Sequence, residues 1–124
     1  MIGNKLVDFY DLEAWKEGHK LALLVYGMVS KLPSDEKYGL SDQLRRASAS
    51  VTANIAEGFG RFHFNDKIHF FYLSRGSVKE VQSFLLLGRD LKYLSVVDVN
   101  IVWTQSKSAE KLINGLIRST EKQK

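Results

Sequence analysis

The side chains best equipped for chemistry in this sequence are cations. Arg45, Arg46, Arg61, Lys67, Arg75, Lys107 and Lys111 are candidate contacts for phosphate oxygens, because guanidinium and ammonium groups supply most of the sequence-independent attraction to a nucleic acid. Lysine and arginine number 18 against 14 aspartate and glutamate, giving a net charge of +4 and a pI near 9.3. That balance permits an anionic partner without demanding one. Other chemistry is poorly supplied. The chain has no cysteine, which excludes disulfides, thiol catalysis, iron–sulfur clusters and cysteine zinc sites. His19, His63 and His69 share no metal-ligand spacing, and the Glu-x-x-His pair of di-iron bundles is missing. Ser48 and Ser50 have no identifiable base. Gly58-Phe59-Gly60 is a weak phosphate-cradle candidate, and GxGxxG, GxSxG and HExxH are absent. The expectation is a protein that is not an enzyme and uses no metal or cofactor.

The elements that must position these cations read as four helices. Pro33 lacks an N–H and disfavours helix in the residue before it, so a first helix ends near Leu32. The segment from Gln43 to Ala56 has no glycine or proline, and Gly58 and Gly60 favour a helix end after it. Asn65 and Asp66 are capping candidates for a third helix, and Asp98 for a fourth. The spacing predicts helices over 10–32, 39–59, 66–92 and 98–119 in one domain spanning 1–124. Short connections force antiparallel neighbours, so the expected architecture is all-α, an up-down-up-down four-helix bundle. With 44% apolar and 26% charged residues, the chain can hold one globular core. Its longest apolar run, Leu21 to Tyr26, falls far short of the roughly 20 residues a membrane span needs. Asn4, Lys5 and Asp8 interrupt any leader-like apolar stretch, so a cytoplasmic protein is expected.

The helix faces carry a surplus of apolar surface. The first helix has one seam through Leu12, Trp15, His19, Ala22, Tyr26 and Val29, and a second through Ala14, Gly18, Leu21, Val25, Met28 and Leu32. A bundle helix needs only one stripe. Leu21, Val25 and Met28 are therefore structural or subunit-interface candidates, the plainer alternative being one broad core-facing stripe. Asn54 lies on the apolar line of the second helix, where its amide needs partners; a register-fixing role is expected. Glu57 sits near Arg46 and four residues before Arg61, in pairing distance. Gly76 is mid-helix, where glycine costs about 1 kcal/mol against alanine, and close backbone packing is the expected compensation. Glu80 and Arg75 are candidates for salt bridges between helices or subunits. Phe62 and Phe64 are read as core or interface residues, with base stacking as the alternative.

Several stretches carry a resemblance. Asp11-Leu12-Glu13-Ala14-Trp15-Lys16, Tyr38-Gly39-Leu40-Ser41-Asp42-Gln43-Leu44-Arg45-Arg46-Ala47, Ser50-Val51-Thr52-Ala53-Asn54-Ile55-Ala56-Glu57-Gly58-Phe59-Gly60-Arg61 and Arg75-Gly76-Ser77-Val78-Lys79-Glu80 resemble the bacterial four-helix bundle proteins encoded in intervening sequences of 23S rRNA genes. The Asn54 to Arg61 part of the third stretch is the most specific, and Val78 stands where leucine is commoner in the family. The resemblance implies a homopentameric ring, similar in architecture to the accessory variability protein of diversity-generating retroelements, which binds nucleic acid and a reverse transcriptase. It brings no settled activity and no catalytic residue. Five copies of a +4 chain would make a +20 ring, attractive to RNA or DNA. Two expectations follow. One is a non-enzymatic homo-oligomer that binds RNA or DNA through its basic surface. The other is a protein-interaction scaffold whose charge only keeps it in solution.

Overall fold

The structure is a computed structural model that describes residues 8–36 and 39–124. Asn4, Lys5 and the Tyr38 of the second family-like stretch lie outside the described residues. Four helices make the fold: α1 (Glu13–Val29), α2 (Leu40–Phe59), α3 (Phe64–Asp90) and α4 (Val96–Glu121), with short 3-10 turns at Phe9–Asp11 and Ser34–Glu36. No strand occurs among the described residues. Each helix packs on the next in sequence, and α1 also packs on α4, which closes a four-helix bundle.

The predicted boundaries hold to within a few residues, and the differences have local causes. The fourth helix begins at Val96, and its cap lies three residues before the expected Asp98. Ser95 is the cap: its backbone is extended and its Oγ accepts the Asp98 N–H at 3.1 Å. Asp98 is left in the first turn, where a carboxylate suits the helix dipole, and pairs with Lys31 at 3.3 Å. The third helix begins before Asn65 and Asp66, after an uncapped His63. There Lys67 reaches back, its Nζ donating to the Phe59 carbonyl at 2.9 Å. That bond joins the end of α2 to the start of α3 across a connection only four residues long. After α3 the chain turns at Lys92, which adopts the left-handed conformation with φ 63°, while the N–H groups of Tyr93 and Leu94 return to the Gly88 carbonyl.

The core is aliphatic. Leu21, Val25, Leu44, Val51, Ile55, Val78, Val81, Leu85, Ala109 and Ile113 are fully enclosed. This decides between the two seams of α1. The line through Leu21, Val25 and Met28 is buried in the protomer's own centre, so these residues are core and not subunit contacts. They face inward because α1 touches two helices at once, and the stripe between its two contact lines is the one enclosed. The other seam is only partly covered, with His19 and Tyr26 exposed. The apolar surplus lies instead on Leu23, 62% exposed, and Leu24, beside Ile101 in a groove between α1 and α4 of about 290 Å³.

Close helix contact occurs at other glycines than the one expected. A β-carbon at Gly58 would meet the Phe71 ring at 2.6 Å, and one at Gly88 would meet Leu94 at 2.5 Å. Both positions are buried and admit only glycine without rearrangement. Gly76 points outward, with nothing within 4 Å of where a β-carbon would stand. The expectation of close packing at Gly76 is therefore corrected: no neighbouring helix approaches it.

Candidate nucleic-acid interface

The cations predicted from sequence fall into two groups, and only one forms a cluster. On α2, Arg46 and Arg61 are locally occupied, whereas Arg45 makes no ion pair among the described residues. Arg46 Nε binds Asp42 at 3.0 Å, and Arg61 Nη2 binds Glu57 at 3.2 Å. Glu57 therefore pairs with Arg61 and not with Arg46, whose own carboxylate lies one turn earlier. The Arg61 guanidinium also lies 4.7 Å from the centre of the Phe70 ring. Lys67 is held in the α2–α3 turn by the Phe59 carbonyl. Arg45, half-buried, borders a hollow at the α1–α2 connection with Ser30, Pro33 and Ser41.

The second group converges along α3 and α4. Lys107, Lys111, Asn114 and Arg118 stand at spacings of four, three and four, so one face of α4 carries them all. With Glu110 they line an open groove of about 250 Å³. From α3, Arg75 Nη1 donates to Asn114 Oδ1 at 3.0 Å, and Lys79 Nζ meets Glu110 Oε2 at 2.9 Å. Lys107 Nζ lies 3.3 Å from the other carboxylate oxygen. Five cations thus lie along one strip, and two of them, Lys79 and Lys107, hold its one carboxylate. Arg75, Lys111 and Arg118 make no ion pair among the described residues, so they keep their charge available.

Glu110 is the keystone of this strip. Burial tends to raise its pKa, but hydrogen bonds from Lys79, Gln82 and Lys107 and the charge of Lys79 outweigh that, and the carboxyl sits below its ordinary 4.5. Gln82 is buried and bridges the same cluster: its Nε2 donates to Ser106 Oγ and to Glu110 Oε1, each at 3.1 Å, and its Oε1 accepts from Lys79 at 3.2 Å. The polar network fixes the strip's backbone positions from beneath.

The remaining expected residues resolve as follows. Asn54 is half-buried and donates to the Ser50 carbonyl of its own helix at 2.9 Å; the polar ties between α2 and α3 are Ser50 to Ser77 at 2.6 Å and Ser74 to the Val51 carbonyl at 2.7 Å. Within the protomer it is these serines, and not Asn54, that tie α2 to α3. Glu80 is exposed and forms no ion pair among the described residues. Phe62 is 88% exposed and Phe64 is 37% exposed, which removes both from the protomer core. His19 is exposed and stacks on Trp15 with centroids 4.7 Å apart. Among the described residues no three acidic or histidine side chains gather as metal ligands, and no helix is long and apolar enough to cross a membrane. Tyr72, Gln82, Asn114 and Arg118 were not anticipated as site residues. The α4 members were legible as a heptad-spaced polar line, whereas Gln82 carried only its place four residues after Val78.

Compared with known protein families, residues 10–115 match the family described as 23S rRNA-intervening sequence protein. The chain belongs to that family. This 23S rRNA-intervening sequence protein carries its line of unpaired cations on α3 and α4, while Arg61 of the family-like stretch is paired with Glu57. Among solved structures, the chain is similar to a crystal structure described as a protein with unknown function from the S23 ribosomal protein family of Bacteroides thetaiotaomicron VPI-5482. The TM-score is 0.79 at 20% identity, covering 85% of this chain and 95% of that one. At that identity the likeness speaks for the fold. No curated protein matches the chain.

Proposed function

We propose that this chain is a non-enzymatic, cytoplasmic homo-oligomer that binds RNA or DNA through the α3–α4 strip. The observation that carries the reading is the line of Arg75, Lys79, Lys107, Lys111 and Arg118 along α3 and α4, beside a groove with a single carboxylate, with three of the five cations unpaired. Phosphate binding needs cations held in fixed relation and open to solvent, and a groove on α4 supplies both. The strip carries no nucleophile–base pair.

An up-down-up-down order of the helices is supported by the contacts themselves. Arg75, Lys79 and Gln82 along α3 meet Asn114, Glu110 and Ser106 in reverse order along α4. Self-association is supported by Leu23, Leu24 and Ile101, large apolar residues left in water beside the α1–α4 groove. The homopentameric ring implied by the family resemblance would set five strips on one particle. Light scattering coupled to size-exclusion chromatography, with and without a labelled RNA, tests the reading. An oligomer whose mass rises on adding RNA is expected. A single-copy species, or an oligomer that leaves RNA unbound at low salt, contradicts it; the latter together with capture of a nuclease-resistant protein partner would favour a scaffold.

A further inference from the structure

The strip contains one feature that phosphate attraction does not explain. Tyr72 is 44% exposed on α3, and the Arg75 guanidinium carbon lies 4.9 Å from its ring centroid. The same Arg75 donates to Asn114, which borders the basic groove with Lys111 and Arg118. An aromatic ring and a guanidinium plane are therefore joined to the cation line.

Gly76 stands four residues after Tyr72, on the same face of α3. A helical side chain leans over the turn before it, so any longer residue at 76 would lie back across the Tyr72 ring. Glycine adds nothing to the cover that the Arg75 guanidinium already gives the ring, and the ring stays 44% exposed. Packing within the chain does not require it, because nothing comes within 4 Å of the absent β-carbon. A helix-weakening residue at the place that would cover an exposed aromatic, next to unpaired cations, has a direct explanation in access to the ring.

We propose that Tyr72 and Arg75 form a stacking platform for an unpaired base, kept open by Gly76, so that the strip prefers single-stranded nucleic acid to duplex. This rests on the nucleic-acid reading above and names its ligand class. Every base has a π-face, so stacking is tolerant of sequence, and it is strongest where bases are free of a duplex. Lys111 and Arg118 would hold the flanking phosphates in either case.

The test compares a short labelled oligonucleotide, as RNA and as DNA, with the same strand annealed to its complement. Wild type, Tyr72→Ala, Tyr72→Phe and Gly76→Leu are titrated, with Tyr26→Ala on α1 as an aromatic control. Tyr72→Ala and Gly76→Leu are each expected to lose about tenfold on the single strand, with duplex affinity unchanged. Tyr72→Phe and Tyr26→Ala should behave as wild type. Gly76→Leu should melt no lower than wild type, since leucine is the better helix former, which separates lost access from lost folding. Equal losses on single strand and duplex, or no loss on either, would overturn the platform while leaving phosphate binding intact. So would a Gly76→Leu variant that changes oligomeric mass yet keeps the single-strand preference. If wild type binds neither form at low salt, the nucleic-acid reading itself fails, and the platform with it.

Discussion

The α2 surface and the α3–α4 strip use the same side-chain chemistry to opposite ends. On α2, Arg46 and Arg61 each have a carboxylate one turn away, at 3.0 and 3.2 Å. Their charge is neutralised within the helix, and such exposed pairs add little stability. On α3 and α4, Glu110 stands alone among five cations and is mostly buried, with its side chain 15% exposed. The first arrangement decorates a helix. The second holds uncompensated charge in place across two helices. Cations are informative about binding only after their own neighbours have been counted.

The comparison breaks most visibly on double variants. Lys111→Ala with Arg118→Ala should weaken RNA binding at least tenfold in a low-salt titration, by removing two phosphate contacts. Arg46→Ala with Arg61→Ala should change it less than twofold. Equal losses from both pairs would erase the distinction between the two surfaces.

Glu110→Gln sharpens it. The amide can still accept from Gln82, but the charge that ties Lys79 and Lys107 is gone, at a cost of about 1 kcal/mol in denaturant unfolding. The strip's net charge rises by one, so anion affinity should increase even as stability falls. The pH dependence has a defined sign. The folded-state pKa is depressed, so the carboxylate's contribution is in place above about pH 4.5 and is lost as pH falls through the lower folded value. Urea midpoints of wild type and Glu110→Gln should therefore converge on acidification.

Smaller effects are expected away from the strip. Lys92→Gly should stabilise the chain by up to about 1 kcal/mol, because glycine adopts the φ of 63° without the penalty a side chain carries; thermal melting reads it. Glu57→Ala should cost only about 0.3–0.5 kcal/mol, the usual worth of an exposed pair one turn apart. A larger loss would mean that the Glu57–Arg61 pair is engaged by something outside the protomer.

Most of the fold was legible because it rests on local rules. Pro33 and the glycines punctuate the helices, and the aliphatic spacing of Leu21, Val25 and Met28 picked out a real buried stripe. Spacing alone could not say whether that stripe faced its own bundle or a second copy, since both look equally apolar along the chain. The site was legible in part. Glu57 and Arg61 were found because their partnership is four residues long. Arg75 with Asn114 and Lys79 with Glu110 are 39 and 31 residues apart in the chain, and no helical period links them. The same limit explains Gly76: sequence shows that glycine weakens the helix, and only the structure shows that the space beside it is open.

The most direct test of the central claim is the salt dependence of RNA binding for wild type and for Lys111→Ala/Arg118→Ala. Wild-type affinity should fall linearly in log–log form as salt rises. The double variant should show a slope shallower by about 1.4, since each phosphate neutralised on a single strand contributes roughly 0.7. Slopes that coincide, or wild-type affinity that ignores salt, would show that the α3–α4 cations do not hold a nucleic-acid backbone.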